Sequence, residues 1–229
     1  MKKTLLTAFF AGALASCAPQ STDAYIGSFS PLGVGCALET TGTTFKFAGS
    51  LDLANAASGF VTYYLQINYN TVLSTPGVVL TNGTTLEQPD RERFVATAVH
   101  LTYILKKGGG ASKTLPAVDD VPIAGTSDKA NNNAKMGANI IGPKGGAALL
   151  NEVPATTSGN GYPTPDDVVE LKVGISLVGA LSGSGVPVTT GVVYFPINVF
   201  RSNACANGYK PATAACPANG QDAVAPVCN

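Results

Sequence analysis

Alternation of apolar and polar residues is the dominant pattern in the mature part of the chain. It is clearest at 168–177, where Val169, Leu171, Val173, Ile175 and Leu177 alternate with polar or small residues. A period of two is typical of a strand with one buried face. The predicted strands are 43–48, 60–69, 94–105 (with Val95 and Val99 inward), 168–177 and 191–201.

The arrangement of these strands predicts the fold class. Pro196 lacks a backbone donor, so the strand at 191–201 is predicted to lie at an edge or to contain a bulge. It is expected to form a hairpin with the strand at 168–177, and one helical turn is expected at 145–152, before Pro154. Long strands with short turns predict an all-β fold, an antiparallel β-sandwich of immunoglobulin-like or similar type; an up-and-down barrel is the alternative.

The N-terminus has a different pattern. Lys2 and Lys3 precede the apolar run 4–14, and small residues follow up to Cys17. These are the parts of a secretory signal peptide. The run is about half of the roughly 20 residues that a membrane-spanning helix needs.

Leu14-Ala15-Ser16-Cys17 resembles the lipobox of bacterial lipoproteins. The resemblance implies cleavage before Cys17 and a lipid on that cysteine, so the membrane is an expected partner. Ala18, rather than Asp, at the next position implies the outer membrane of a Gram-negative host. Two or three acyl chains anchor a protein stably.

Composition and the lipobox together predict the domain organisation. Residues 1–16 are predicted to be the signal peptide, which is removed, and 17–35 the lipid anchor and a flexible spacer rich in Pro, Gly and Ser. The sandwich is predicted to span 36–201. Residues 202–229 are predicted to be an irregular, Cys-rich segment stabilised by disulfides.

Cysteine number supports this organisation. The chain has 5 cysteines, and assigning Cys17 to the lipid leaves an even set for disulfides in an oxidising compartment: Cys36, Cys205, Cys216 and Cys228. We expect Cys36–Cys205 and Cys216–Cys228, although three connectivities are open. The wide spacing argues against a zinc site.

The end of the chain carries a second resemblance. Phe195-Pro196-Ile197-Asn198-Val199, followed by a Cys-rich tail with Gly220-Gln221-Asp222, is similar to uncharacterised outer-membrane lipoproteins of myxobacteria and their relatives. The resemblance implies the same location and brings no activity with it.

Charge and motifs narrow the function classes. Removing Lys2 and Lys3 leaves 12 basic and 14 acidic residues (14 − 2 against 14), without a basic cluster, so no nucleic-acid partner is predicted. The glycines at 142–146 lack the spacing of a phosphate loop and are expected to form a loop. His100 is expected on the face of Phe94, Ala96 and Ala98 as a structural imidazole. Neither a cofactor nor a metal site is predicted.

Two function hypotheses remain. The first is a non-catalytic binding or structural module of the cell envelope that binds a protein or a glycan, with Tyr64, Gln66 and Asn68 on a solvent-exposed strand face as the candidate patch. The second is an enzyme acting on envelope polysaccharides through paired carboxylates. The carboxylates in question are Asp119, Asp120, Asp166 and Asp167. If they have no catalytic role, we expect them to be solvated acids in turns, with calcium binding as the alternative.

Overall fold

The computed structural model describes residues 24–39, 44–54, 61–71, 78–79, 85–86, 94–123, 133–156, 161–181, 185–205, 216, 221–222 and 228. Its strands are β1 (Ala24–Ser30), β2 (Gly49–Asp52), β3 (Tyr64–Thr71), β4 (Val78–Val79), β5 (Thr85–Leu86), β6 (Phe94–Lys107), β7 (Ser112–Pro122), β8 (Asn133–Asn139), β9 (Val169–Leu181), β10 (Pro187–Thr189) and β11 (Val193–Phe200). The helix α1 spans Pro143–Glu152. The expectations for the signal peptide and for Cys17 fall outside the described residues.

Two facing sheets make the fold an antiparallel β-sandwich, as predicted. The small sheet has the order β1-β3-β8, and the large sheet has the order β2-β11-β9-β6-β7 with β10 paired to β9. Neighbouring strands are antiparallel except β2 and β11, which are parallel. The predicted hairpin is confirmed, because β9 and β11 are neighbours, and β10 lies in their connection.

The core lies between the two sheets. The inward positions of β3 and β9 are fully buried, as their alternation predicts. Aromatic rings join the sheets across this core. The rings of Tyr69 on β3 and Phe94 on β6 lie 5.9 Å apart at 89°, and those of Phe29 on β1 and Phe195 on β11 lie 5.3 Å apart at 72°. Edge-to-face contacts of this kind stabilise a core beyond the burial of the rings themselves.

Strand β1 corrects the predicted spacer. It lies within 17–35, yet it pairs along its length with β3 and buries Ile26 and Phe29 in the core. The sandwich therefore includes β1 and extends at least as far back as Ala24. The strand predicted at 43–48 is also wrong, because β2 starts only at Gly49.

A bulge in β6 changes which of its residues face the core. The register with β9 shifts between Ala96 and Ala98, so one extra residue reverses the alternation. Phe94 and Ala96 are buried on the same side as Val99, whereas Val95 is only half-buried. The expected inward position of Val95, and the placement of His100 with Phe94 and Ala96, are therefore wrong.

Pro196 marks the point where β11 gains a second neighbour. Strand β11 pairs with β9 from Val193 onward, but its pairing with β2 begins at Ile197. Pro196 thus lies just outside the part of β11 that is flanked on both sides. The edge prediction is correct for Val193–Pro196, whereas Ile197–Val199 is paired on both sides.

The C-terminal segment is tied to the start of the sandwich. Disulfides join Cys36 to Cys216 and Cys205 to Cys228, so the predicted connectivity is wrong. The reason is that the tail returns to β2, where Gln221 forms a bridge with Leu51. This return brings Cys216 beside Cys36 instead of leaving it to close a short loop with Cys228.

Candidate functional site

The sandwich has two open sides, and each carries a groove. On one side, the groove lies between the end of β7 and the edge strand β8 and has a volume of about 410 Å³. We call it the β7–β8 groove; it is lined by Leu38, Tyr64, Val121, Pro122, Ile123, Lys135, Met136, Gly137, Ala138 and Asn139. The Lys135 ammonium in its wall donates to the Glu39 carbonyl at 3.0 Å.

The second groove lies on the opposite side, between β1 and the start of β11. Its volume is about 220 Å³, and residues 45–47, which precede β2, form part of its wall. We call it the aromatic groove; it is lined by Ile26, Gly27, Ser28, Phe29, Phe45, Lys46, Phe47, Val193, Tyr194 and Phe195. The Lys46 backbone N–H donates to the Phe29 carbonyl at 2.9 Å, which holds this wall against β1.

Only one residue of the predicted binding patch borders a groove. Tyr64 is half-buried and lines the β7–β8 groove. Gln66 is 0% exposed; its side chain accepts from the Glu39 N–H at 2.6 Å and donates to Asn68 at 2.8 Å. The exposed strand face is therefore a wrong expectation for Gln66, because the chain after β1 covers this part of the small sheet.

The remaining polar residues of that face bond to one another. The Asn68 amide donates to the hydroxyls of Ser28 and Ser30, both at 3.0 Å. Leu32 and Leu38 lie over Gly137, where an added Cβ would meet their side chains at 3.3 and 3.7 Å. The polar side chains on the outer face of β3 thus form hydrogen bonds within the fold, and the chain after β1 covers them.

Asp119 is a buried structural acid. It lies on β7, where its carboxylate accepts from the Tyr103 hydroxyl at 3.0 Å and from the N–H groups of Lys144 and Gly145 at 3.1 and 2.8 Å. The expectation of a solvated turn acid is wrong here. Burial, together with the nearby carboxylate, raises the pKa of Tyr103 against the smaller effect of its bond from the Gly142 N–H, so the phenol remains a donor.

The same contacts explain the glycines at 142–146. They form the start of α1 instead of the expected loop. A helix N-terminus carries unpaired N–H groups and favours negative charge, and the Asp119 carboxylate occupies that position. An added Cβ on Gly145 would lie 2.3 Å from Cζ of Tyr103, so the absence of a side chain allows the tyrosine to reach Asp119.

The other candidate acids have different surroundings from those of Asp119. Asp120 projects from the exposed face of β7, and its carboxylate lies 2.7 Å from Nδ1 of His100. Asp167, in the 3-10 turn Pro165–Asp167, accepts from the N–H and hydroxyl of Thr164 and from the hydroxyl of Thr156, each at 2.8 Å. These bonds lower the pKa of Asp167. Asp166 is exposed.

Sequence reasoning missed a cluster formed by the C-terminus, which we call the C-terminal clasp (Gln221 and Asp222). The Gln221 side chain accepts from the Tyr64 N–H at 2.9 Å and donates to the Tyr64 carbonyl at 2.8 Å. Asp222 pairs with Lys46 and accepts from the Tyr63 hydroxyl. The motif Gly220-Gln221-Asp222 was visible in the sequence, but nothing local links it to β3.

Asp52 was also not anticipated. It is buried and accepts from the N–H groups of Ala54 and Ser202 at 2.9 and 3.0 Å, as well as from the Ser202 hydroxyl. It therefore joins the end of β2 to the residues after β11. No group of three or more His, Cys, Asp or Glu side chains is arranged to hold a metal ion within the described residues.

The described part of the chain has no helix with the length and hydropathy needed to cross a lipid bilayer. Comparison with models of protein families, with curated proteins and with solved structures finds no match to this chain.

Proposed function

We propose that this chain is a lipoprotein tethered through Cys17 to the outer membrane, where it serves as a non-catalytic binding module of the cell envelope. The signal-peptide pattern and the lipobox at 14–17 support the tether. The two disulfides support an oxidising compartment, because such bonds persist outside the cytosol.

The β7–β8 groove is the observation that carries the binding role. Its volume of about 410 Å³ falls within the range of about 300–1,000 Å³ typical of ligand sites. Tyr64, Leu38 and Val121 supply apolar surface. The edge strand β8 supplies backbone groups that an extended partner can pair with. We infer that the ligand is an extended peptide segment or a glycan chain of the envelope.

The hydrogen bonding of the carboxylates favours the binding role over that of an enzyme acting on polysaccharides. Asp119 accepts three hydrogen bonds inside the fold, and Asp167 accepts three within and beside its own turn. Asp119 therefore caps the N-terminus of α1, and Asp167 closes the turn Pro165–Asp167. Their hydrogen bonds account for both residues without a reaction.

The tether is tested by metabolic labelling with a fatty acid that carries a clickable tag, in the host that produces the protein. We expect label on the wild-type chain and none on Cys17→Ser. An unlabelled wild-type chain would contradict the tether. Both variants keep the four cysteines of the sandwich, so the loss of label reports the lipid and not the fold.

The groove is tested by placing a photo-crosslinking amino acid at Pro122, which is exposed and lines it. The matched control carries the same amino acid at Val118, which is exposed on the same strand but does not line the groove. Crosslinked partner peptide or glycan is expected from position 122 alone. Equal capture from both positions, or none from position 122, would rule the groove out as the binding site.

A further inference from the structure

The aromatic groove exposes large apolar rings to solvent. The side chains of Phe45, Phe47 and Tyr194 are 52%, 82% and 53% exposed, and the neighbouring Val192 is 53% exposed. Single exposed apolar residues are common, but a contiguous patch marks an interaction surface. Something other than water is therefore expected to cover these rings.

The lining of this groove carries little charge. Among the described residues that line it, Lys46 is the one with a charged side chain, and the Lys46 ammonium is paired with Asp222. The described lining of the groove is thus aliphatic and aromatic, and its charged side chain is paired. Surfaces that combine exposed rings with paired charge suit the boundary between headgroups and acyl chains, where aromatic side chains concentrate.

Few residues separate Cys17 from the strand that forms one wall of this groove. Strand β1 forms one wall and begins at Ala24, seven residues after Cys17. A chain of that length spans at most about 25 Å. A tether this short gives the contact between the groove and the lipid surface an effective concentration in the millimolar range. A weak affinity for lipid is therefore sufficient to hold the groove on the bilayer.

We propose that the aromatic groove docks onto the lipid surface beside the anchor, so that the sandwich lies on its side with Phe45, Phe47 and Tyr194 in the interfacial zone. The inference rests on the proposed lipid at Cys17. Docking through the aromatic groove also sets the orientation of the sandwich relative to the membrane. The β7–β8 groove is at the opposite open side of the sandwich, so it faces away from the membrane and stays accessible to a partner.

The absence of tryptophan from the chain gives a clean test. Phe47→Trp places a single tryptophan in the groove, and Tyr162→Trp places one at a site that is 64% exposed and outside it. Both chains are purified in detergent from the host that produces the protein and are then reconstituted into vesicles of phosphatidylethanolamine and phosphatidylglycerol. We expect the emission of Phe47→Trp to shift to shorter wavelength and to be quenched by brominated acyl chains, while Tyr162→Trp stays solvent-like.

The outcomes separate this inference from the anchor. If Tyr162→Trp fails to sediment with the vesicles, the anchor is wrong. If both chains sediment and Phe47→Trp remains solvent-like, the anchor stands and the docking is wrong. Adding Phe45→Ser and Tyr194→Ser to the Phe47→Trp chain is expected to reduce the shift; an unchanged shift would contradict docking through the groove.

Two other occupants give distinct results. A blue shift of the Cys17→Ser, Phe47→Trp chain that grows with protein concentration in the absence of lipid would assign the groove to a second copy. A shift induced by soluble peptidoglycan fragments, and not by vesicles, would assign it to a glycan. Either result would overturn membrane docking.

Discussion

The Tyr63 hydroxyl donates a hydrogen bond of 2.9 Å to Asp222, although 159 residues separate the two along the chain. The same carboxylate accepts from the Ser50 N–H at 3.1 Å and pairs with Lys46. Burial, reinforced by the charge of Asp222, raises the pKa of Tyr63, so the phenol remains protonated and keeps its role as donor. One C-terminal acid thus joins three early parts of the chain.

Asp222→Ala is expected to lower the free energy of unfolding by about 1–3 kcal/mol, because a buried hydroxyl then lacks its acceptor. Tyr63→Phe, which removes only the donor, is expected to have a smaller effect. Urea denaturation followed by circular dichroism measures both. Asp166→Ala, at an exposed acid, serves as the control; equal midpoints for Asp222→Ala and this control would contradict a stabilising role for the clasp.

Gly145→Ala is expected to destabilise the protein by about 1–3 kcal/mol, since overpacking forces side chains or backbone to move. The new Cβ would lie 2.3 Å from Cζ of Tyr103 and would push that ring away from Asp119. Gly191→Ala is the matched control, because an added Cβ there meets nothing within 4 Å. Thermal unfolding curves that coincide for the two variants would show that the Tyr103 contact is not tight.

The disulfide connectivity is directly testable by peptide mapping. Cleavage after Tyr209 by chymotrypsin and before Asp222 by endoproteinase Asp-N separates Cys205, Cys216 and Cys228 into different peptides. Without reductant, mass spectrometry is expected to find the Cys36 peptide linked to that of Cys216 and the Cys205 peptide linked to that of Cys228. A Cys36–Cys205 product would overturn this connectivity.

The two disulfides are expected to differ in their contribution to stability. Cys36 and Cys216 are separated by 180 residues and Cys205 and Cys228 by 23. In the chain-entropy account the longer loop stabilises by about 5 kcal/mol and the shorter by about 3 kcal/mol. Replacing each pair by serines and comparing unfolding midpoints measures the difference. A larger loss from the shorter loop would mean that chain entropy does not govern these bonds.

Asp167 is expected to give acid-dependent stability. Its pKa is lowered in the fold by bonds from Thr164 and Thr156, so its contribution is fully present above the unfolded value of 3.8 and is lost as pH falls through the folded value. Below that range the wild type and Asp167→Asn should converge, and near neutral pH the wild type should be more stable. Asp166→Asn is the control, and a constant difference across the titration would contradict the linkage.

Local alternation located β3, β6, β9 and β11, but not β1, β7 and β8, which also contribute residues to the core. In β9 every second residue is apolar because one face packs on the small sheet, and no irregularity interrupts its pairing with β11. In β6 the same reasoning placed Val99 and the later alternate residues in the core correctly, but it failed at Val95, since the bulge between Ala96 and Ala98 adds a residue without any local sign in the sequence. Strand β1 was not predicted, because its Gly and Ser residues are typical of a flexible spacer. Its pairing with β3 holds it in an extended conformation, and the local sequence does not show that pairing.

The functional surfaces were harder to predict because they depend on contacts between distant segments. Gln66 has the position of a solvent-facing residue in β3, yet Glu39, which is 27 residues away, covers it. Phe45 and Phe47 flank Lys46 in a segment that was assigned to a strand, and their exposure follows from the way that segment passes β1 and β11. Spacing along the sequence carries no information of this kind.

The clasp also determines when the fold can be completed. A ribosome delivers β1, β2 and β3 long before it delivers Gln221 and Asp222, and β2 must wait as well for β11, its parallel neighbour. Pairings between the two ends of a chain form slowly, because a large loop closes before any contact stabilises it. A nascent chain ending at Arg201 would hold every strand of the described residues and still lack the bonds from Gln221 and Asp222, so residues synthesised after β11 complete the contacts of β2 and β3.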